Sequence, residues 1–322
     1  MKSKKIIKKT GLMLSAVTAI SIISAAVTNA APLVVAETPW SKPTYVYGSG
    51  LNSSQITETA KILGVDKADV LKMVVDGQDI KEYINGESSD SGMISSVVVD
   101  KAKEGTGVKV SIVNQENITD INEIQYANAA ITAGVKDVSI KVGSVFKVTG
   151  ESALTGVYKA LDANGVTLNK DRMEVAQKEI ETVNEISKNL KDESGFSQKS
   201  FDQVIINIKN ELNIYYNNLP ADKKITLEDI RAIVEKAIKD NNLDKVVTQD
   251  QIEKLTSLFE KYAKTDAINS KEVINQLKDL SSNLLSKAQE IYKNAEASGL
   301  LDKIAKFFSD IVAAIMKLFG GN

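Results

Sequence analysis

From Thr44 to Gly165 the apolar residues come in short β-rich runs broken by Gly, Asp and Ser. Beyond Gly165 they recur at spacings of three and four, and the strand signal stops. A period near two suits a pleated strand and a period near 3.6 suits a helix. A chain carrying both, in that order, closes neither as one uniform sheet nor as one uniform bundle. It predicts an α+β protein. A mixed α/β sheet domain is expected over residues 44–165 and an all-α helical region over 166–299. An amphipathic C-terminal helix is expected over 300–322.

Within the first part, Thr44–Tyr47 and Val70–Val75 read as strands. A short helix between them is capped by Ser53 or Ser54 and stopped by Gly64. Gly86 to Gly92 reads as a soft polar loop. Met93–Lys103 and Val108–Val113 are β-rich, and Gly105 and Gly107 bracket the turn between them, which is a hairpin signal. Thr119 caps a helix that ends at Gly134. Val138, Ile140 and Val142 alternate as a strand that Val145 and Val148 extend to Gly150, and Ser152–Ala163 is helical. In the second part helices are expected near Asp171–Leu190, Ser200–Asn217, Thr226–Asp240, Thr248–Ala263, Ser270–Ala297 and Leu300–Phe319. Thr226 with Asp229 and Thr248 with Gln251 have capping-box spacing. Val273, Leu277, Leu280, Leu284, Ala288, Ile291 and Ala295 form a stripe that faces a core.

Residues 1–36 have the order of a secretory signal peptide. Five lysines precede an apolar run from Gly11 to Val27, and small residues follow, with cleavage expected after Ala30 or Ala36. Residues 37–43 form a tether, which Trp40 pins to the core. Loss of the leader removes five lysines and no acid, leaving 35 basic against 42 acidic residues, a net of about −7. That sign repels phosphates, so nucleic acid is not an expected partner. The location expected is secreted or extracellular, associated with the cell envelope.

The 322 residues include no Cys and no His. This excludes Ser-His-Asp and Cys-His catalysis, disulfides, and a zinc site of the usual nitrogen and sulfur ligands. Ser144-Val-Phe-Lys147 has the spacing of a penicillin-recognising Ser-x-x-Lys. It lies in a strand-like run, where residues i and i+3 point to opposite faces, so coincidence is the reading. Asp240-Asn-Asn-Leu-Asp244 imitates the start of a calcium loop, but Lys245 and Gln251 stand where Gly and Glu are required, so a solvated turn is expected. No catalytic residue, no metal ligand and no cofactor is assigned.

Thr132-Ala-Gly-Val-Lys-Asp137, then Val148-Thr-Gly-Glu-Ser-Ala-Leu-Thr-Gly156 and Val157-Tyr-Lys-Ala160, resemble the YpuA-like family of secreted Gram-positive proteins, the domain of unknown function 1002. Gly48 and Leu51 followed by Gln55 resemble it too, although this chain has Gly50 where the family often has an acid. The resemblance implies an exported envelope protein, with an α/β part before a helical part and no established reaction.

The tail gathers Leu300, Leu301, Ile304, Phe307, Phe308, Ile311, Ile315, Leu318 and Phe319 on one side of a helix, with charges opposite. Its five charges rule out a spanning helix. Two readings stand: an interfacial helix that docks on a membrane surface or a partner through Leu300, Ile304, Phe307, Phe308, Ile311, Ile315, Leu318 and Phe319, or a helix that closes the bundle. The expected function is a non-enzymatic binding or scaffold module of the envelope, whose partner is an envelope component or a membrane surface. The alternatives are a carboxylate-dependent cell-wall hydrolase and a membrane-active secreted protein.

Overall fold

Strand β1 (Thr44–Gly48) lies inside a five-stranded sheet whose order is β2-β1-β3-β5-β4, with β2 at Leu71–Val75, β3 at Ser96–Lys101, β4 at Val108–Ile112 and β5 at Val138–Gly143. The computed structural model describes residues 40–292, with side chains to 284. The helices are α1 (Ser53–Ile62), α2 (Gly77–Ile84), α3 (Glu123–Ala133), α4 (Ser152–Ala163), α5 (Lys170–Leu190), α6 (Gln198–Asn218), α7 (Leu227–Asp240), α8 (Gln249–Ala263) and α9 (Lys271–Tyr292). The protein is α+β, a mixed sheet followed by helices.

β1 pairs with β2 and β4 with β5 in parallel, while β3 runs antiparallel to both β1 and β5. The expected hairpin of β3 with β4 does not form, because β5 lies between them. Asp137 is the wedge. Its carbonyl accepts from Ala102 N at 2.8 Å, and its carboxylate accepts from Gly107 N at 3.0 Å. Gly105 and Gly107 have φ of 77° and 68°, so the turn that suggested a hairpin serves a wider crossover. Val138, Ile140 and Val142 are each at most 1% exposed, and an interior position gives them neighbours on both sides.

One face of the sheet carries Val46, Val97, Val99 and the β5 valines against α3 and α4. On the other, Tyr45 and Val98 pack with Ala60, Leu63 and Val65 around α1. Lys109, Ser111 and Lys141 leave the far end of that second face to solvent, as antiparallel and mixed sheets permit. β5 stops at Gly143; Val145 does not extend it, and Val148 makes only an isolated bridge with Ile118.

Caps place the helices. α7 and α8 begin at Thr226 and Thr248 with complete capping boxes to Asp229 and Gln251. α1 starts instead from Asn52, whose box partner is Gln55, and α3 from Asn122 with Gln125. Thr119 is not that cap, because its backbone N–H and hydroxyl go to Val148 O at 2.9 and 3.2 Å, closing the bridge beside it. Helix α2 has no counterpart in the sequence reading. Asp76, read as a strand end, accepts from Gln78 N and Asp79 N and opens it.

Helix α3 joins the two parts. Tyr126, Ala129, Ala130 and Ala133 face the sheet core, while Ala127 and Ile131 belong to the helical core. All described residues lie in one compact unit. Helix α6 is enclosed, from Phe201 to Leu212, by α3, α7 and α9. Val273, Leu277, Leu280 and Leu284 of α9 are buried as the stripe requires; the side chains of Ala288 and Ile291, and all of Ala295, lie outside the description.

Candidate functional site

Because β1, β2, β4 and β5 run the same way, their carboxyl ends share one edge, and α1 to α4 all begin there. Ligands of parallel sheets bind outside that edge, where loops diverge and helix N-termini point. Here the edge holds a cleft of about 200 Å3 between the segment 86–95, the turn 148–152 and α5.

The first wall is not the soft loop its composition suggested. Three glycines bring its backbone down onto the ends of β1 and β2. A Cβ at Gly48 would sit 2.0 Å from Met93 O, one at Gly50 2.7 Å from Ser91 O, and one at Gly77 2.3 Å from Ser88 O. Gly50 N donates to Met93 O at 2.9 Å, Gly77 N to the Asp90 carboxylate at 2.9 Å, and Ser49 Oγ to Asp90 O at 3.0 Å. These bonds strap residues 88–93 down. They also account for Gly48, and the Asn52–Gln55 box accounts for Gln55, so these early resemblance residues have structural roles. An acid in place of Gly50 would displace the 90–91 turn.

The second wall is Thr149-Gly150-Glu151-Ser152, at the start of α4. Gly150 has φ of 97°, and a Cβ there would meet Tyr126 Oη at 2.3 Å and Ile118 Cγ2 at 2.8 Å. No other residue fits. The buried Tyr126 hydroxyl donates to Gly150 O at 2.5 Å, and burial pushes that hydroxyl's pKa up, so it remains a donor. Ser152 Oγ and the buried Ser95 Oγ lie 2.6 Å apart, which ties the turn to the start of β3. Glu151 stands at the N-cap of α4, where a negative charge complements the helix dipole, and its carboxylate accepts from Asn184 Nδ2 of α5 at 3.0 Å.

Helix α5 closes the cleft with Gln177 and Glu181. Gln177 Nε2 donates to Glu181 Oε1 at 3.2 Å, and Lys178 Nζ reaches Glu181 Oε2 at 3.4 Å. Ile84, Gly86, Gln177 and Glu181 are shared with an adjoining groove of about 470 Å3 that continues along α5 to Lys261 and Lys264 of α8. Asp79 and Lys159 lock α2 to α4 behind the cleft, at 2.6 Å.

Residues 47–280 match the family described as "Protein of unknown function (DUF1002)". The chain belongs to the DUF1002 family. It is 32% identical over 239 residues, 74% of this chain and 75% of the relative, to "Uncharacterized protein YpuA" of Bacillus subtilis (strain 168). No solved structure matches it. Within this DUF1002 chain, the block Val148–Gly156 that carried the resemblance forms the second wall of the cleft and the start of α4.

The eight tail residues, Leu300, Ile304, Phe307, Phe308, Ile311, Ile315, Leu318 and Phe319, lie outside the described residues. Ser144 is fully buried and accepts from Phe146 N, while Lys147 is exposed, so the Ser-x-x-Lys pattern brings no hydroxyl and amine together. Asp240 pairs with Lys236 at 2.8 Å. Among the described residues, no group of three or more acidic side chains is placed to hold a metal ion. Glu151, Glu181, Gln177 and the Ser95–Ser152 pair escaped the sequence reading because α5 lies outside the sheet part in sequence. The strand-to-helix turn Thr149-Gly-Glu-Ser was the signal that could have pointed to them.

Proposed function

We propose that this chain is an exported protein of the cell envelope that acts as a non-enzymatic binding module, taking its ligand in the carboxyl-edge cleft and adjoining groove. The observation that carries the reading is the construction of the cleft. Both walls are preorganised by glycine contacts and hydrogen bonds, the second with the buried Tyr126–Gly150 bond, and their polar groups are engaged as positioned acceptors and hydroxyls. Preorganisation of this kind lowers the ordering cost of binding. The order of residues 1–36 supports export. The aromatic amphipathic tail supports a second attachment, to a membrane surface or a partner, through Leu300–Phe319.

Two fractionations test this, using the chain without its leader. Retention on purified cell-wall sacculi is expected to fall in the Glu151→Gln, Glu181→Gln double variant and to survive truncation before Leu300. Flotation with liposomes is expected to show the reverse dependence. A chain that neither sediments with sacculi nor floats with liposomes would sink the reading. One observation favours a second reading: Glu87, Glu151 and Glu181 line one cleft, as a carboxylate-dependent wall hydrolase would need. Zymography on wall substrate, with clearing lost in the same double variant, would establish it instead.

A further inference from the structure

Resting on the reading of the cleft as a ligand site, we infer that it receives a protonated primary amine. Among the described residues, three carboxylate side chains, Glu87, Glu151 and Glu181, line it, and no lysine or arginine does. The adjoining groove differs, since Lys178, Lys261 and Lys264 there balance Asp171, Glu174 and Glu181. Of the three cleft carboxylates, Glu181 is paired with Lys178 at 3.4 Å, whereas among the described residues no salt bridge reaches Glu87 or Glu151, so uncompensated negative charge lies at the sheet edge. The positive end of α4 does not reverse this, because Glu151 already occupies its N-cap position.

A second observation is independent of charge. Gln177 is 8% exposed and lines the cleft, yet its Oε1 has no hydrogen-bond partner among the described residues. A buried acceptor left unpaired is costly, so a ligand that supplies a donor is favoured there. The terminal torsion of a glutamine is soft, and a turn of the amide that presents this oxygen to the cleft gives up the Nε2 bond to Glu181, leaving that carboxylate oxygen to the ligand as well. An ammonium offers three donors and no acceptor, matching Glu151, Glu181 and Gln177. Ile80, Ile84 and Met93 supply apolar wall for the carbon skeleton that bears it. Two sources share this chemistry: an amino sugar with a free amine, and a lysine-type side chain of a peptide.

The test is calorimetric titration of the leaderless chain with four probes. Glucosamine is paired with N-acetylglucosamine, and Nα-acetyl-lysine amide with its Nε-acetylated form. In at least one pair the free amine is expected to bind about tenfold or more tightly than its acetylated partner, and to weaken with added salt. The pair that discriminates identifies the source. Glu181 is half-exposed, so Glu181→Gln preserves the fold, checked by melting temperature, and is expected to cost about tenfold in amine affinity. Glu104→Gln, on an exposed turn away from the cleft, is expected to change nothing. Equal binding of acetylated and free probes, absence of binding by all four, or amine binding indifferent to Glu181→Gln and Glu151→Gln would each overturn the inference. If sacculus retention still depends on the cleft in those cases, the binding reading stands and only the amine assignment falls.

Discussion

Lys209 of α6 is completely buried, and its ammonium donates to Glu179 at 2.7 Å, to Asn128 Oδ1 at 2.8 Å and to Thr132 Oγ1 at 2.5 Å. Burial pulls its pKa down and Glu179 opposes that. Breaking one side of such a pair leaves a buried charge, so Lys209→Met is expected to cost about 3–5 kcal/mol. The double change with Glu179→Leu is expected to cost far less than the two single changes added. Urea denaturation of the four proteins measures the coupling, and additive costs would deny it. Two turns earlier, Asp202 accepts from Asn122 Nδ2 at 2.9 Å and Gln198 Nε2 at 2.8 Å, but burial outweighs both and raises its carboxyl from 3.8 to about 7. Between those two values the folded chain holds a proton that the unfolded chain has released. The Asp202 contribution to stability is therefore full below about pH 4 and is lost as pH rises through about 7. Relative to Asp202→Asn, the wild-type chain is expected to lose on the order of 2–4 kcal/mol between pH 5 and 8. Parallel stability profiles for the two proteins would refute this.

At the scale of elements, helix starts are decided by neighbours in sequence, and strand partners are not. Thr226 closes its box with Asp229 through Asp229 N to Thr226 Oγ1 at 3.2 Å and Thr226 N to Asp229 Oδ2 at 2.9 Å. Both bonds span three residues, which is why the pair was readable. Thr226→Ala is expected to lower stability by about 1 kcal/mol in thermal or urea unfolding, and no change would mean that tertiary packing alone sets this end. The hairpin misreading has the opposite cause. Gly105 and Gly107 mark a tight change of direction, which both a hairpin and a crossover require. Only Asp137, about thirty residues on, distinguishes them. The edge that results is also blunted by distant residues, since Val108 N donates to Gln276 Oε1 at 3.0 Å and Ile112 N to Glu123 Oε1 at 3.2 Å. Side chains thus occupy N–H groups that an added strand would use.

At the scale of the molecule, α3 gives one face to each core, and Gln276 Nε2 of α9 reaches Val135 O at 3.1 Å. Neither part buries α3 without the other. Residues 44–165 alone would expose Ala127 and Ile131 and leave Asn128 and Thr132 without Lys209. The leaderless chain is therefore expected to unfold in one transition, with far-ultraviolet dichroism and tyrosine fluorescence changing together. Two separated transitions would show that the sheet and the helices are independent. The cleft depends on the same joint, since its sheet-edge walls come from residues 86–95 and 148–152 and its closing wall from α5.

Period, capping boxes and left-handed glycines are properties of adjacent residues, so the order of the strands and of every described helix but α2, most helix ends and the α+β class are legible along the chain. Tertiary structure decided what depends on residues far apart: the insertion of β5 between β3 and β4, the strapping of 88–93 onto three glycines, and the enclosure of α6. That last case shows the reason most plainly. Asp202, Gln203, Asn207 and Lys209 are side chains of the kind that mostly face solvent on a helix, yet all are buried. Asp202, Gln203 and Lys209 are held by Asn122, Ser281, Asn128 and Glu179, 30 or more residues away, and Asn207 accepts from Gln203 Nε2. Polarity is a property of a side chain, whereas its solvent is chosen by whichever elements pack around it.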